Sequence, residues 1–275
     1  MSSMPKLPPA LRVFVLLRRL ERQASLLAEA LSSGLWLGLL SPEQLQQASD
    51  HFYCSGRYQN YPSQAYNQLG LWSWEERALQ RHFQGRSRLL IAGIGGGREV
   101  LALQQRGYQV DGFECNPELL HSAQQLMAAQ PSANAEPPIL KAAPANQCPD
   151  FSQNAPYDGL IIGWATYMHI PGRERRIAFL RSMAQYACPD APILLSFMVR
   201  GSGQRSDRLR QQLANGLRRL RRQERVELGD GLLETLHLHR FIKEEVVEEL
   251  EQAGFRFVAY HSAEYGHAIG QRQAS

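Results

Sequence analysis

Short apolar runs alternate with segments of helical period over most of this chain. Short, mostly apolar runs at 89–92, 110–113, 157–162 and 191–197 are typical of strands buried on both faces. Polar and apolar residues then repeat with a helical period at 98–106 and 173–186. Strands that alternate with helices in this way predict an α/β protein with a mostly parallel sheet.

The first 82 residues have helical periodicity instead. Spaced leucines, among them Leu20 and Leu27, predict an amphipathic helix that ends at Ser32-Ser33-Gly34. Ser41-Pro42-Glu43-Gln44 has the form of a capped start of a second helix. We therefore predict a helical cap over 1–82 and an α/β domain over 83–275.

A glycine-rich turn follows the first apolar run. It contains Gly93, Gly95 and Gly97, a helix follows, and the next strand ends on Glu114. Glycines allow a ligand to approach the backbone closely, and a helix N-terminus presents unpaired N–H groups to an anionic group. An acid at the tip of the second strand accepts hydrogen bonds from ribose hydroxyls. These residues predict a nucleoside-binding site.

The glycine spacing indicates which nucleoside is bound. A dinucleotide loop of the form G-x-G-x-x-G requires glycine at position 98, where the chain has Arg98. The observed G-x-G-x-G and the acid Glu114 resemble motifs I and II of class I S-adenosylmethionine (SAM) dependent methyltransferases. In the same order, 157–162 resembles that family's fourth strand, 191–197 its fifth, 253–255 the entry to its sixth and 265–270 its seventh.

The resemblance covers 83–275 and implies a Rossmann-like sheet of seven mostly parallel strands with SAM as the cofactor. It implies that Gly93, Gly95, Gly97 and Glu114 bind SAM and that Trp164 walls the adenine or the acceptor. Methyl transfer to an O or N atom of a small molecule is the activity we expect. The alternatives are an RNA methyltransferase, a SAM-binding protein without catalysis, an NAD site, or a loop that binds nothing.

Two positions depart from the family's pattern. Ile91 stands where the family often has an acid near the methionine amino group. No acid occurs in 140–144, after the third strand, where an acid usually contacts adenine, and Asp150 is the nearest candidate. We expect these two contacts to come from elsewhere, with Glu99 and the N-terminal segment as the candidates.

An aromatic and polar stretch at 52–74 is expected to cover the cofactor and acceptor. Tyrosines combine an apolar ring with a hydroxyl, and an arginine can pair with a carboxylate. The candidate acceptor contacts are Tyr53, Arg57 and Tyr58. The alternative is that these aromatics only pack the helical cap on the sheet.

The loop at 164–171 follows the fourth strand, so it must border the pocket if the fold is correct. Tyr167 and His169 are the candidate catalytic residues, with His169 as a base that takes a proton from the acceptor. His237 and His239 are weaker candidates for that role. Alignment of the reactants alone can also carry methyl transfer, in which case His169 is only a hydrogen-bonded loop residue.

Basic residues are concentrated in one predicted helical insertion at 200–235. Between positions 200 and 225 there are nine arginines against two acids, whereas the whole chain has a net charge of +4. A leucine stripe, Leu209, Leu213, Leu217 and Leu220, indicates a helix that lies on the domain or packs on a partner subunit of a homodimer. The arginines could instead capture nucleic acid phosphates or an acidic substrate.

The remaining composition narrows the class of protein. The four cysteines are scattered without metal-ligand spacing, which argues against a structural metal and for a reducing compartment. No apolar run approaches the ~20 residues that span a bilayer. We therefore expect a cytoplasmic enzyme with no metal and no membrane partner.

Overall fold

The predicted strands and helices form a nine-stranded sheet covered by helices in a computed structural model, which describes residues 8–54, 61–130, 136–201 and 205–274. The strands are β1 Arg88–Ala92, β2 Gln109–Glu114, β3 Leu140–Ala142, β4 Gly159–Ile162, β5 Pro192–Val199, β6 Asp230–Leu233, β7 Leu236–Phe241, β8 Phe255–His261 and β9 Gly266–Arg272. The helices are α1 Pro9–Leu39, α2 Pro42–Cys54, α3 Gln64–Asn67, α4 Ser73–His82, α5 Arg98–Gln104, α6 Pro117–Ala129, α7 Arg173–Ala184, α8 Arg205–Leu220 and α9 Lys243–Gln252.

Seven of these strands make the predicted sheet. β3, β2, β1, β4 and β5 lie side by side and run parallel. β9 pairs antiparallel with β5, and β8 pairs antiparallel with β9. The prediction of an α/β, Rossmann-like, mostly parallel sheet is confirmed.

The other two strands form a hairpin that the sequence analysis missed. β6 and β7 pair antiparallel at 230–241, and β7 pairs with the end of β5, where Met198 faces Arg240 and Val199 faces Phe241. The insertion after β5 is therefore a helix followed by a hairpin. Its strand pattern is obscured because His237 and His239, although polar, are buried together with the leucines beside them.

Apolar side chains cover the centre of the sheet on both faces. Leu89 and Ile91 pack into one apolar cluster, whereas Leu90 and Ala92 pack into the other, on the opposite face. All four side chains are fully buried. Alternation of side chains along a strand explains why a continuous apolar run was needed here.

α1 is longer than predicted and continues to Leu39. Its predicted end at Gly34 is wrong because that glycine serves close packing: a Cβ at Gly34 would lie 2.8 Å from the carbonyl oxygen of Arg210 in α8. Arg218 in α8 donates hydrogen bonds to the carbonyls of Leu37 (2.7 Å) and Leu40 (3.1 Å). These bonds satisfy carbonyls that the end of a helix leaves unpaired.

The predicted start of α2 is confirmed. The Gln44 side chain accepts a hydrogen bond from the Ser41 backbone N–H (2.9 Å), and the Ser41 hydroxyl accepts one from the Gln44 N–H (3.3 Å). α2 then packs on β7, so both N-terminal helices contact the insertion. In the part of the chain that the structure describes, no helix is long and apolar enough to cross a membrane.

Candidate active site

A cleft of about 770 Å³, counting space open to solvent, lies beyond the carboxyl ends of β1, β2 and β4. This is where open α/β sheets bind ligands. The N-terminal part of the chain contributes Gln46, Ser49, Asp50, Tyr53 and Tyr61, and the sheet and its loops contribute Gly93, Gly95, Phe113, Glu114, Cys115, Asn116, Leu119, Pro144, Ala145, Asn146, Gln147, Trp164, Thr166, His169, Ile170 and Phe179.

The glycine turn forms one wall of the cleft. Gly93 and Gly95 have φ angles of +67° and +55°, a region that disfavours side chains. A Cβ on Gly93 would lie 2.3 Å from the Thr166 hydroxyl oxygen, and one on Gly95 would lie 3.3 Å from the Tyr61 ring. Gly97 caps α5 with φ +99° and is absent from the residues that line the described cleft. Only the first two glycines therefore face a ligand.

Glu114 is fixed at the edge of the cleft by three backbone N–H groups. Its carboxylate accepts hydrogen bonds from Gly95 (2.8 Å), Cys115 (2.9 Å) and Asn116 (3.0 Å). Burial raises the pKa of Glu114, and these hydrogen bonds oppose the rise. Each carboxylate oxygen can accept more than one hydrogen bond, so acceptor capacity is left for a ligand.

Glu99, predicted to contact the cofactor, binds protein groups instead. Its carboxylate accepts hydrogen bonds from Arg98 (2.7 Å) and from the backbone N–H of Trp164 (3.1 Å). Arg98 is buried, pairs with Glu75 at 2.7 Å and lies 4.7 Å from the Trp72 ring. Glu99 is not among the described residues that line the cleft, so it joins two loops behind the site.

Polar residues of the cleft lie near the two positions at which this chain lacks an acid of the family's pattern. Tyr61, from the N-terminal segment, lies against the glycine turn, whereas Ile91 is fully buried. After β3, the amide residues Asn146 and Gln147 line the cleft. Asp150 is exposed outside it, and its carboxylate accepts a hydrogen bond from the Ser152 N–H (2.8 Å).

A tyrosine–histidine pair lines the cleft. The Tyr53 hydroxyl lies 2.9 Å from Nε2 of His169, and Nδ1 of His169 lies 2.7 Å from the carbonyl oxygen of His237. A carbonyl only accepts, so we assign the proton to Nδ1, and Nε2 then accepts from Tyr53. Burial lowers the pKa of His169 to about 4, so the ring is neutral at pH 7.

Tyr167 points away from the cleft, contrary to its predicted role at the acceptor. It is fully buried, donates its hydroxyl hydrogen bond to Glu249 and stacks on Phe241 at 5.3 Å. In the short 3₁₀ helix at Thr166–His169, successive side chains point in different directions. Tyr167 therefore lies in the core, whereas His169 faces the cleft. Sequence position in the loop could not distinguish the two.

His237 and His239 are also buried outside the cleft. Although burial favours the neutral ring, the carboxylates of Asp230 and Glu245 raise the pKa of His239 to about 9. Its Nδ1 lies 2.8 Å from Asp230. Glu227 lies close enough to share a cation with these two residues, but Arg176 already contacts it at 2.8 Å. This ion network holds the hairpin and keeps His239 away from the cleft.

The other predicted residues divide between the cleft and the surroundings. Trp164 lines the cleft and packs on Trp72 and Tyr265, with ring centroids 5.9 and 5.6 Å apart. Arg57 and Tyr58 lie outside the residues that the structure describes. Asp50 in α2 lines the cleft without having been predicted, because its helical period gave no sign of which face meets a ligand.

The arginines of the insertion are partly used inside the protein. Arg210 donates to the Asp230 carbonyl (2.7 Å), Arg218 holds the end of α1, and Arg200 pairs with Glu245 at 2.9 Å. Among the described residues that line the cleft, none comes from 200–225. These arginines therefore hold the insertion together and fix the end of α1.

Comparison with known proteins found relatives by structure. No family model and no curated protein sequence matches the chain. Among solved structures, it is similar to a 1,6-didemethyltoxoflavin N1-methyltransferase of Burkholderia thailandensis that holds its toxoflavin compound and S-adenosylhomocysteine (TM-score 0.59, 15% identity, 86% of this chain and 92% of that one).

Two further structures have the same fold. A SAM-dependent methyltransferase of Methanosarcina mazei has a TM-score of 0.57 at 18% identity, over 75% of this chain and 100% of that one. The magnesium protoporphyrin IX methyltransferase of Synechocystis PCC 6803, with S-adenosylhomocysteine, has 0.50 at 18%, over 83% and 94%. With the strand order described above, these likenesses show that the chain has the fold of the class I SAM-dependent methyltransferases.

Proposed function

We propose that this protein is a SAM-dependent methyltransferase that acts on an O or N atom of a small molecule. The observation that carries the proposal is one cleft that joins Gly95, Glu114 and the Tyr53–His169 pair. The first two residues suit a nucleoside cofactor, and the pair suits a polar acceptor. Structural neighbours whose names describe methyl transfer to small molecules support the same assignment.

The cofactor end of the cleft fits SAM. Glu114 is held so that its carboxylate can accept hydrogen bonds from the two ribose hydroxyls, while Gly93 and Gly95 leave space for the methionine part. SAM supplies a methyl group already activated on a sulfonium. The chain's own residues then have to hold the donor and the acceptor in line.

Two residue types replace the acids missing from the family's pattern. Asn146 and Gln147 carry amides that both donate and accept, which matches the amino group and ring nitrogen of adenine. The Tyr61 hydroxyl, beside the glycine turn, is our candidate for the methionine end. Neither replacement requires a charge on the protein.

Tyr53 is the residue that we expect to contact the acceptor. Its hydroxyl hydrogen is directed to His169, so its oxygen can accept from the O–H or N–H of an incoming molecule. A histidine with a pKa of about 4 is poorly matched to proton abstraction near pH 7. His169 therefore orients Tyr53, and alignment of the reactants supplies most of the rate.

Calorimetry with SAM, S-adenosylhomocysteine and NADH tests the cofactor. We expect both sulfur nucleosides to bind more tightly than NADH, and Asp150→Ala, an exposed carboxylate outside the cleft, to bind SAM like the wild type. Tighter binding of NADH, or no binding of SAM, would overturn the proposal. Formation of S-adenosylhomocysteine with a panel of small phenols, amines and carboxylic acids then separates an enzyme from a SAM-binding scaffold.

RNA is the competing acceptor class. Its best support was the arginine segment, and Arg200, Arg210 and Arg218 make internal contacts there. Binding of RNA at low salt that weakens linearly on a log–log salt plot, with a slope for several phosphates, would favour the RNA alternative.

A further inference from the structure

The first two-thirds of α1 project beyond the helix on which α1 packs. Gly34 and Gly38 contact Arg210 and Leu217 of α8, so the two helices run in the same direction. The buried residues of α1 all lie between Ala30 and Gly38. Every residue from Pro9 to Glu29, all of which the structure describes, is at least partly exposed. At 1.5 Å per residue this is about 30 Å of helix.

This exposed part of α1 carries an apolar stripe. Its members share spacings of three and four residues, and they are Val13, Leu16, Leu17, Leu20, Ala24, Leu27 and Leu31. At 100° per residue they fall within an arc about 100° wide that contains no charged side chain. Leu16 is 57% exposed and Leu20 56%. Contiguous apolar surface of this kind marks an interaction site.

Arginines lie along one edge of the stripe and on the far side of the helix. Residues 9–28 contain Arg12, Arg18, Arg19 and Arg22 against the single acid Glu21. On α8, Arg205, Arg208 and Arg219 are exposed. Residues 8–40 and 205–225 hold twelve arginines and four acidic residues. Arg210, Arg218 and Asp207 are buried, which leaves ten exposed arginines against three exposed acids. The partner of this surface must therefore be both apolar and anionic.

We propose that α1 lies on an anionic lipid surface, with its leucine stripe among the acyl chains and its arginines at the phosphates. A helix with a charge-free apolar stripe and four arginines outside that stripe has the chemistry of an interfacial helix, which lies on a bilayer and does not cross it. A second copy of the chain fits less well, because a symmetric interface would bring two arginine-rich surfaces together. This surface is separate from the cleft and goes beyond the methyltransferase proposal.

Vesicle sedimentation with the full chain tests this inference. We expect binding to vesicles of phosphatidylcholine mixed with phosphatidylglycerol, weaker binding to phosphatidylcholine alone, and a decrease with salt. Replacing the stripe by Leu16→Glu with Leu20→Glu should weaken binding by about tenfold or more. Ser25→Glu with Ser32→Glu is the matched control, because it adds the same two acids at exposed positions outside the stripe on the same helix and should retain most of the binding.

Two results would overturn the inference. One is failure of the wild type to bind anionic vesicles. The other is a stable dimer in sedimentation equilibrium that Leu16→Glu with Leu20→Glu converts to monomer, which would assign the stripe to a second copy. Circular dichroism and the melting temperature establish that the variants are folded. SAM calorimetry on the same samples keeps this result independent of the cofactor assignment.

Discussion

The cofactor end and the acceptor end of the cleft are built in different ways. At the cofactor end, the hydrogen bond from Gly95 to Glu114 joins residues 19 positions apart, within one strand–helix–strand unit. At the acceptor end, Tyr53 and His169 are 116 positions apart, and Arg218 holds Leu37 across 181 positions. The first end is therefore a local structure, whereas the second depends on the docking of the cap on the inserted helix and hairpin.

This difference separates two kinds of failure. Damage to the glycine turn should remove cofactor binding and leave the cap assembled. Damage to the cap should spare cofactor binding and reduce transfer or stability. Each of the following variants should change either SAM binding or the stability and methyl transfer that depend on the cap. A variant that changes both would refute the division.

The largest effect is expected from Gly95→Val. Valine is strongly disfavoured at φ +55°, and its side chain would occupy space beside Tyr61 that the cofactor needs. We expect no SAM binding measurable by calorimetry. Gly85→Val is the matched control, since Gly85 has φ +72° with nothing within 4 Å of an added Cβ, so it introduces strain without blocking the cleft. Normal SAM binding by Gly95→Val would mean that the turn is not the cofactor site.

Glu114→Ala should weaken SAM binding by about 1.5–3 kcal/mol, the range for hydrogen bonds to a charged group. Calorimetry measures this loss, and Glu114→Gln should lose less because one carbonyl oxygen remains. In Glu114→Ala the backbone N–H groups of Gly95, Cys115 and Asn116 lose their acceptor. The melting temperature shows whether this loss destabilises the turn. An unchanged affinity in Glu114→Ala would exclude this carboxylate as the ribose contact.

The hairpin side should make stability depend on pH. The pKa of His239 rises from 6.5 when unfolded to about 9 when folded, so its stabilisation is complete below pH ~6.5 and is lost as pH rises through 9. The groups around it are Asp230, Glu227, Glu245 and Arg176. We expect the wild type to lose about 3 kcal/mol of unfolding free energy over this range relative to His239→Gln. Denaturant titration measures the unfolding free energy of both proteins at each pH. If this free energy changes with pH to the same extent in the wild type and in His239→Gln, the expectation is contradicted.

Arg218→Met should destabilise the docking of α1 by about 1–2 kcal/mol, because the carbonyls of Leu37 and Leu40 lose their donor. Arg219→Met, at an exposed neighbouring position on the same helix, should stay within about 0.5 kcal/mol. Chemical denaturation measures both. We expect SAM affinity to be unchanged in either variant, and loss of SAM binding in Arg218→Met would show that the two ends are coupled.

The smallest effect is expected at the acceptor pair. Tyr53→Phe should leave SAM affinity unchanged and lower kcat by about three- to tenfold, the cost of one hydrogen bond. His169→Ala should lose less than about tenfold, with no pH dependence between about pH 6 and 9 because the ring is already neutral. The double variant should cost little more than either single one, since the two side chains act together. A loss above about a hundredfold in His169→Ala that shrinks at high pH would instead make it the base.

Local chemistry explains how much of this molecule the sequence predicted. The mostly apolar runs identified β1, β2, β4 and β5 because a strand buried on both faces is built mainly of apolar residues. Gly93, Gly95 and Glu114 were predicted for the cleft because a tight turn and a strand-end acid have defined positions in such a unit. These features depend on neighbours within a few tens of residues.

The directions of individual side chains were decided by tertiary structure. Tyr167 and His169 are two positions apart in one loop. Tyr167 lies in the core, where it bonds to Glu249 and stacks on Phe241. His169 lies at the cleft, where it bonds to the carbonyl of His237. The partners come from the hairpin and the last helix, whose positions no local period encodes. The sequence by itself determined the sheet and its cofactor turn, whereas the acceptor side exists only because contacts across more than a hundred residues bring its parts together.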